Sequence, residues 1–349
     1  MIRILIAEDS IVVTRLLKAI FEDEPDMETV ACAADGREAV RLVDELKPDL
    51  VTMDIRMPVM NGFEATRMIM TTNPTPIVVI SASVNSEELS TTFRAIEEGA
   101  LAVVESPNGL NNLDSKKKRR EIVDTVRAMA SVKVIRRRAS RPVPSKLDLF
   151  ASTIVPATQA YRLVAIGCST GGPPALQTIL SSLPIGFPAP IVIAQHISSG
   201  FVGGMVEWLQ GHTLLKVKLA GDREKLESGT VYFAPDDHHL RVVSKKGNYY
   251  ASLGQDALVN QFRPSATPLL ESVAESCPGR AVGGLLTGMG KDGAKGLLAM
   301  RRAKCTTFVQ DKKSAVVYGM ADSALALDAV DQTVDLDKTA EYLTNLVRM

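Results

Sequence analysis

Two groups of residues in this chain have the types and spacing for chemistry, and both lie where an apolar run stops. The first centres on a serine. Gly167-Cys168-Ser169-Thr170-Gly171-Gly172 joins the apolar run Leu163 to Ile166 to a segment that opens Pro173-Pro174 and carries Leu176, Ile179, Leu180 and Leu183. Apolar residues at those intervals mark one face of a helix, and proline in a first turn forfeits no intrahelical bond. Ser169 therefore sits on a tight turn between a strand and the positive end of a helix, near N–H groups able to hold an oxyanion. A G-x-S-x-G string also serves as a plain connector in α/β units, so its partners decide.

A serine hydroxyl needs a base within hydrogen-bond reach, and the base needs an acid to fix its tautomer and stabilise the imidazolium. The chain has four histidines. His196, after the run Ile191 to Ala194, is the best-placed base. His212, inside Trp208 to Leu215, sits at no strand end and reads as a surface or packing residue. His238 and His239 follow Val231 to Ala234; as neighbours in an extended segment they point to opposite faces, so at most one turns inward. For the acid, Asp292 lies in Thr287-Gly288-Met289-Gly290-Lys291-Asp292-Gly293, between the run Ala281 to Leu286 and a helix from Ala294 to Arg301. Such a glycine-dense backbone can also point N–H groups at an oxyanion. Asp311, after the strand Thr307 to Val309, competes for the role, and Asp236 and Asp237 are weaker rivals. The order Ser, His, Asp differs from the Ser, acid, His order of α/β-hydrolases, so the chemistry needs another α/β sheet.

The second group is acidic. Glu8 and Asp9 follow the run Ile2 to Ile6, Asp54 follows Asp49 to Met53, and Ser81 follows Ile77 to Ile80. Carboxyl ends of parallel strands carry the working groups of such sheets, so these acids converge on one edge. Each alone would serve as an N-cap or a solvated loop residue. Together they repel unless a divalent cation neutralises them, and oxygen ligands without histidine or thiol point to Mg²⁺ rather than Zn²⁺.

The elements that must hold these groups alternate along the chain. Strand-like runs at Ile2 to Ile6, Glu28 to Ala33, Asp49 to Met53, Ile77 to Ile80 and Leu101 to Val104 are separated by helical periodicity. The helices carry Leu16, Leu17, Ile20 and Phe21, then span Arg37 to Leu46, Gly62 to Met70 and Glu87 to Glu97. This predicts a five-stranded doubly wound parallel sheet. A helix over Asn111 to Met129 includes Lys116-Lys117-Lys118-Arg119-Arg120, and Arg136-Arg137-Arg138 follows in a stretch rich in Pro, Ser and Thr, aperiodic to about Thr158. The expected domains are 1–120, the first sheet; 121–158, a helical extension and basic flexible linker; and 159–349, a second doubly wound α/β domain with the hydrolytic site.

At 349 residues the chain is long for one core, which agrees with two domains. Its 40 basic and 40 acidic side chains cancel, so no global charge draws it to nucleic acid or membrane. The basic runs read as a solvated face or an extended linker, with no helix-turn-helix after them and no nucleic-acid partner expected. Four scattered cysteines without a C-x-x-C pair suit a reduced, cytoplasmic protein. The first apolar stretch is too short for a signal peptide, and nothing approaches a membrane span, so no membrane insertion is expected.

Glu8-Asp9, Asp54-Ile55-Arg56-Met57-Pro58-Val59-Met60-Asn61-Gly62 and Ser81 resemble a two-component receiver domain, a flavodoxin-like fold. The resemblance implies that Asp54 accepts a phosphoryl group from a chemotaxis histidine kinase. It implies that Asp9, Asp54 and the Arg56 backbone carbonyl hold Mg²⁺, that Glu8 assists, and that the Ser81 hydroxyl bonds the phosphoryl oxygens. Receivers usually place a lysine before the proline that follows the fifth strand; here the chain reads Val104-Glu105-Ser106-Pro107. Ser106 thus removes a positive charge from the pocket, and the expectation is that Asp54 is still phosphorylated while coupling to output is weakened.

The later motifs resemble the catalytic domain of chemotaxis protein-glutamate methylesterases. They are Gly167 to Gly172, Gln195-His196, Ala234-Pro235 with His239-Leu240, Arg263-Pro264-Ser265, Leu286 to Gly293, and Val317-Tyr318-Gly319-Met320. The resemblance implies Ser169 as nucleophile, His196 as base and Asp292 as its orienting acid, with Thr170 supporting the histidine and the Met289 N–H lining the oxyanion hole. It further implies methyl-accepting chemoreceptors as substrates, release of methanol, deamidation of certain glutamines, and no cofactor at the esterase site. Ala321 and Ala266-Thr267 depart from the family pattern, which bears on partner or loop detail rather than on the triad. Two other readings compete: a receiver-controlled esterase for a non-receptor protein, and a non-enzymatic response regulator whose second domain binds a protein or nucleic acid.

Overall fold

The computed structural model describes residues 1–81, 86–107, 113–132, 134 and 162–348, which fall into two compact units, Met1–Pro142 and Val143–Met349. The Arg136-Arg137-Arg138 run and most of the expected linker lie outside the described residues.

In the first unit strands and helices alternate: β1 (Ile2–Ala7), α1 (Ile11–Glu22), β2 (Met27–Ala33), α2 (Gly36–Leu46), β3 (Leu50–Met53), α3 (Gly62–Thr72), β4 (Ile77–Ser81), α4 (Ser86–Glu98), β5 (Ala102–Glu105) and α5 (Leu113–Ala130). The strands are parallel, in the order β2-β1-β3-β4-β5. Helices cover both faces of such a sheet, so its strands read as unbroken apolar runs: Leu5, Ile6, Leu50, Val51, Ile77 and Val78 are fully buried. Side-chain caps start the helices, with Ser10, Asp35 and Asn61 accepting from the N–H groups of Val13, Glu38 and Glu64. The chain places β2 on one side of β1 and β3 on the other, which opens a crevice at the carboxyl ends of β1 and β3.

Helix α5, expected over Asn111 to Met129, carries the packing of the first unit past residue 120. It runs unbroken to Ala130, and Ile122, Val123, Val126 and Met129, spaced as one helical stripe, are buried. Arg127 bonds Asp26 at 2.6 Å and Glu24 at 3.1 Å, tying the last turn to the α1–β2 connection. The basic run on α5 also meets its own unit, with Lys118 on Glu105 at 2.5 Å and Arg119 on Asp23 at 2.9 Å.

The second unit contains β6 (Leu163–Cys168), α6 (Gly172–Ser182), β7 (Ile191–Gln195), α7 (Val202–Gln210), β8 (Lys216–Leu219), β9 (Thr230–Phe233), β10 (His239–Lys245) and β11 (Asn248–Gly254). It continues through α8 (Ala266–Ser276), β12 (Ala281–Leu285), α9 (Ala294–Arg302), β13 (Thr306–Gln310), α10 (Gly319–Ala326), β14 (Gln332–Val334) and α11 (Leu336–Arg348). Seven strands form one parallel sheet, β14-β13-β12-β6-β7-β9-β8. The first strand, β6, lies between β7 on one side and β12 on the other, so this sheet also reverses direction beside its first strand.

The sequence analysis locates the strands that bear the motifs but not the β10–β11 hairpin, nor α7, α8 and α11. The hairpin closes through Lys246 and Gly247, both at positive φ, the turn type that matches strand twist. Its strands are half exposed, so no continuous apolar run marks them. No helix among the described residues is long and apolar enough to cross a membrane.

Candidate active site

Sheet register brings Ser169 and His196 together. Cys168 at the end of β6 lies opposite Gln195 at the end of β7, so the next residue on each strand emerges beside the other, across a spacing of about 4.8 Å. The His196 N–H donates to the Cys168 carbonyl at 2.9 Å. On the other flank of β6, Gly167 lies opposite Leu285 of β12, and the Ser169 N–H donates to the Thr287 carbonyl at 3.0 Å. The turn beyond Thr287 delivers Asp292.

His196 Nε2 lies 2.8 Å from Asp292 Oδ2, with the two side chains 4 % and 0 % exposed. A carboxylate only accepts, so Nε2 carries the hydrogen and Nδ1 is left with the lone pair. That Nδ1 is buried without a hydrogen-bond partner. The flat face of Phe262 covers the imidazole, with centroids 3.8 Å apart and planes 6° from parallel.

Asp292 is held from every side. Its Oδ1 accepts from Asn260 Nδ2 (2.9 Å), Ser265 Oγ (2.6 Å) and Thr267 Oγ1 (2.7 Å), and Oδ2 also accepts from the Ala266 N–H (2.7 Å). Ser265 caps α8, so the carboxylate sits at the positive end of that helix. Burial alone would raise its pKa. The hydrogen bond and charge of His196, then the bonds from Ser265 and Asn260, outweigh burial and hold the carboxyl far below the usual range. Such an acid stays ionised and orients the imidazole without competing for its proton.

The Ser169 turn has its own supports. The Gln195 amide donates to the carbonyls of Ser169 (2.9 Å) and His196 (2.7 Å), while its Oε1 accepts from Cys168 Sγ at 3.0 Å. Gly172 leaves room for it, since a Cβ there would overlap Gln195 Oε1. Thr287 Oγ1 donates to the Thr170 carbonyl at 2.9 Å and accepts from the Val317 N–H at 2.9 Å. Thr170 therefore joins the site through its backbone, and the support expected from it is not a bond to His196 Nδ1. Gly288 lies against Ser169, where an added Cβ would come 2.7 Å from the serine Cβ, so the backbone leading to Met289 runs beside the nucleophile. Met289 itself is 36 % exposed.

The rival residues have other partners. Asp311 accepts from Ser314, Asp236 accepts from the Gly200 N–H, and Asp237 pairs with Arg263. His212 bonds the Trp208 carbonyl and His238 the Asp236 carbonyl. His239 is the inward member of its pair: it is fully buried, bonds the Ala257 carbonyl at 3.1 Å and accepts from the Ser265 N–H at 3.3 Å. It is a brace behind the acid rather than a second base.

The departure Ala266-Thr267, read from sequence as partner or loop detail, lies on the acid itself, because both residues donate to Asp292. Sequence reasoning also missed Asn260 and Phe262, and it gave no role to Gln195 and Thr287. Both of these stand in motifs at strand ends, which was the signal they carried.

In the first unit, carboxylate oxygens of Glu8, Asp9 and Asp54 lie within 4.8 Å of one another at the β1–β3 crevice. Burial, then repulsion from Asp54, pushes Glu8 up to about 7. Burial pushes Asp54 up to about 6, with Asp9 adding to the rise and Arg56 opposing it. An all-oxygen cluster that retains protons at such pH fits a hard divalent cation, which would displace them. Gly62 is packed against this loop so closely that a Cβ would overlap the Asp54 carbonyl. Ser81 ends β4, and the Ser106 N–H donates to its carbonyl at 2.8 Å; both serines are buried.

An acidic phosphoacceptor-type pocket and a serine-centred site in one chain define a class, the receiver-linked hydrolases. Comparison with known proteins gives the family. The CheB methylesterase family matches residues 164–343, and the response regulator receiver domain matches residues 4–117. A protein-glutamate methylesterase/protein-glutamine glutaminase of Nitrosospira multiformis is 43% identical over 99% of this chain and 97% of its own length. One of Geobacter metallireducens is 44% identical over 99% of both. The CheB methylesterase catalytic domain of Thermotoga maritima superposes with a TM-score of 0.53 at 37% identity, covering 54% of this chain and all of that one. The chain belongs to the CheB family of receiver-linked methylesterases.

Proposed function

We propose that this chain hydrolyses γ-glutamyl methyl esters of chemoreceptors in chemotaxis adaptation, and deamidates certain receptor glutamines at the same site. Full-length relatives carrying both activities in their names support this reading. In the reaction, His196 Nδ1 removes the Ser169 proton as Oγ attacks the ester carbonyl. The imidazolium that forms is stabilised by Asp292 through Nε2–H, and the developing oxyanion faces the N–H groups of the Met289 turn. The proton passes to the leaving methoxide, or to the leaving amine in deamidation, and methanol or ammonia departs. Water, activated by the same nitrogen, then hydrolyses the acyl-enzyme to glutamate.

The observation that carries this reading is the buried 2.8 Å His196–Asp292 pair at the strand end adjoining Ser169. Methanol release from methylated receptor membranes tests it. The Ser169→Ala chain should lose release while keeping its fold, and release at the unsubstituted rate would overturn the reading. Methylated proteins other than receptors, treated in parallel and followed by mass spectrometry, decide whether the substrate is a receptor.

Control falls to the first unit. Asp54 accepts the phosphoryl group from a chemotaxis histidine kinase, and Asp9, Asp54 and the Arg56 carbonyl hold Mg²⁺ with help from Glu8. Bound there, the cation would neutralise the carboxylates and the incoming phosphoryl oxygens. Ser81 donates its hydroxyl to the phosphoryl group, and Ser106 supplies no charge to reinforce it.

A further inference from the structure

The residues from 255 to 263 form a short loop over the base, pinned at both ends. His239 Nε2 bonds the Ala257 carbonyl at 3.1 Å on one side. On the other, Arg263 bonds Asp237 Oδ1 at 2.8 Å and donates to the carbonyls of Gln255 (2.9 Å) and Asp256 (2.8 Å). Between them Val259 and Phe262 exchange both backbone hydrogen bonds, at 3.1 and 3.0 Å. Asn260 and Gln261, the two residues inside that ring, have φ of 52° and 73°. Two consecutive positive φ values define a tight turn that asparagine tolerates better than most residues.

This turn puts two side chains on the catalytic pair from one rigid piece of backbone. Asn260 Nδ2 bonds Asp292 Oδ1 at 2.9 Å and Thr267 Oγ1 at 3.3 Å. Phe262, two residues later, lies flat on the His196 ring at 3.8 Å, 6° from parallel. An imidazole held only by Nε2 can still swing about that bond, which would carry Nδ1 away from the serine. A flat aromatic face blocks the swing, and its negative quadrupole favours the ring once protonated.

We propose that the 259–262 turn is a positioning element for the base, in which Phe262 fixes the plane of the His196 ring and Asn260 fixes the carboxylate it bonds. The proposal rests on Ser169 and His196 acting as described above. Phe262 is 36 % exposed and covers the imidazole at the rim of the site rather than filling the core, so its replacement should leave the unit folded.

The test uses the full chain and methylated receptor membranes, with thermal unfolding measured on every variant. Phe262→Leu keeps apolar bulk but loses the flat face, and its kcat should fall roughly tenfold with KM unchanged. Phe262→Tyr restores the face and should recover most of the rate. Asn260→Gly keeps the turn's backbone but drops the amide, and should also lower kcat alone. Wild-type kcat in Phe262→Leu overturns the proposal, as does a Phe262→Tyr chain as slow as Phe262→Leu. A rise in KM at constant kcat would assign the ring to substrate binding and overturn it equally. His196→Ala run alongside separates the two levels. If it retains activity the reading of the base fails, whereas if it is inactive while Phe262→Leu is normal, only the positioning role fails.

Discussion

The two units each place a candidate reactive oxygen at the carboxyl edge of a parallel sheet, close to where the strand order reverses, and then surround it oppositely. Asp54 follows β3 at the crevice beside β1, and Ser169 follows β6 at the crevice between β7 and β12. In each loop a glycine leaves room for a neighbour, Gly62 for the Asp54 backbone and Gly172 for the Gln195 amide that bonds the Ser169 carbonyl. Around Asp54, burial first and then the neighbouring acids raise the pKa values, to about 7 for Glu8 and about 6 for Asp54. Around Asp292 they are donors that hold its pKa far down. The first pocket needs a charge brought from outside; the second carries its own compensation. A regulatory site and a catalytic site can thus share one scaffold and differ in whether the electrostatics are complete before the partner arrives.

The strongest way to break this contrast is to remove charge from each side. Asp292→Asn keeps the shape but reverses one donor relationship, and kcat for methanol release should fall by about 10⁴. Asp54→Asn should leave basal release intact and abolish its response to a phosphodonor. Equal loss of basal activity in both variants would erase the distinction.

Gln195→Leu should cost less. It leaves the carbonyls of Ser169 and His196 without their shared donor, so kcat should drop by roughly 10-fold to 10²-fold, with stability lower by about 1–3 kcal/mol. Steady-state kinetics and denaturant unfolding measure the two effects separately.

The pH dependence of stability should run in opposite directions. In the metal-free chain Glu8 binds its proton more tightly folded than unfolded, so between its ordinary 4.5 and about 7 the first unit loses stability as pH rises. The loss is on the order of 3 kcal/mol, and Mg²⁺ should restore it. Asp292 works the other way: its contribution is complete above its ordinary 3.8 and disappears as pH falls toward its depressed value. Calorimetry on the full chain from pH 3 to pH 8, resolved into two transitions, would show one midpoint falling where the other is flat.

The smallest change is expected at Ser106. Ser106→Lys should strengthen the phosphodonor response by a factor of a few, on the order of one charge-assisted hydrogen bond. Equal and full activation of both chains by the same donor would show that the serine does not weaken coupling.

The sequence made the architecture and the placement of the candidate residues legible because both follow from periodicity. Apolar runs ended at Glu8, Asp54, Ser169, His196 and shortly before Asp292, and in parallel sheets those ends meet. What supports the reacting residues was not legible. Asn260 and Phe262 come from a turn in a loop with no regular pattern, and reach Asp292 and His196 across 32 and 66 positions. Thr267 sits in the first turn of a helix that the pattern did not reveal, so a change on the acid itself passed for loop variation. The choice among Asp292, Asp311, Asp236 and Asp237 needed the hydrogen-bond partners of each. The basic run on α5 read as a solvated face or linker, and the acidic partners of Lys118 and Arg119 come from packing on the first unit, which no local pattern shows.

Cys168, adjoining the nucleophile, has a practical consequence for labelling. Its thiol is fully buried, its Sγ is engaged by Gln195, and burial raises its pKa far above the usual thiol range, so it stays protonated. Cys277 and Cys305 are buried as well, whereas Cys32 is exposed on β2. A maleimide dye would therefore attach at one position, on the first unit, without touching the serine-centred site of the second.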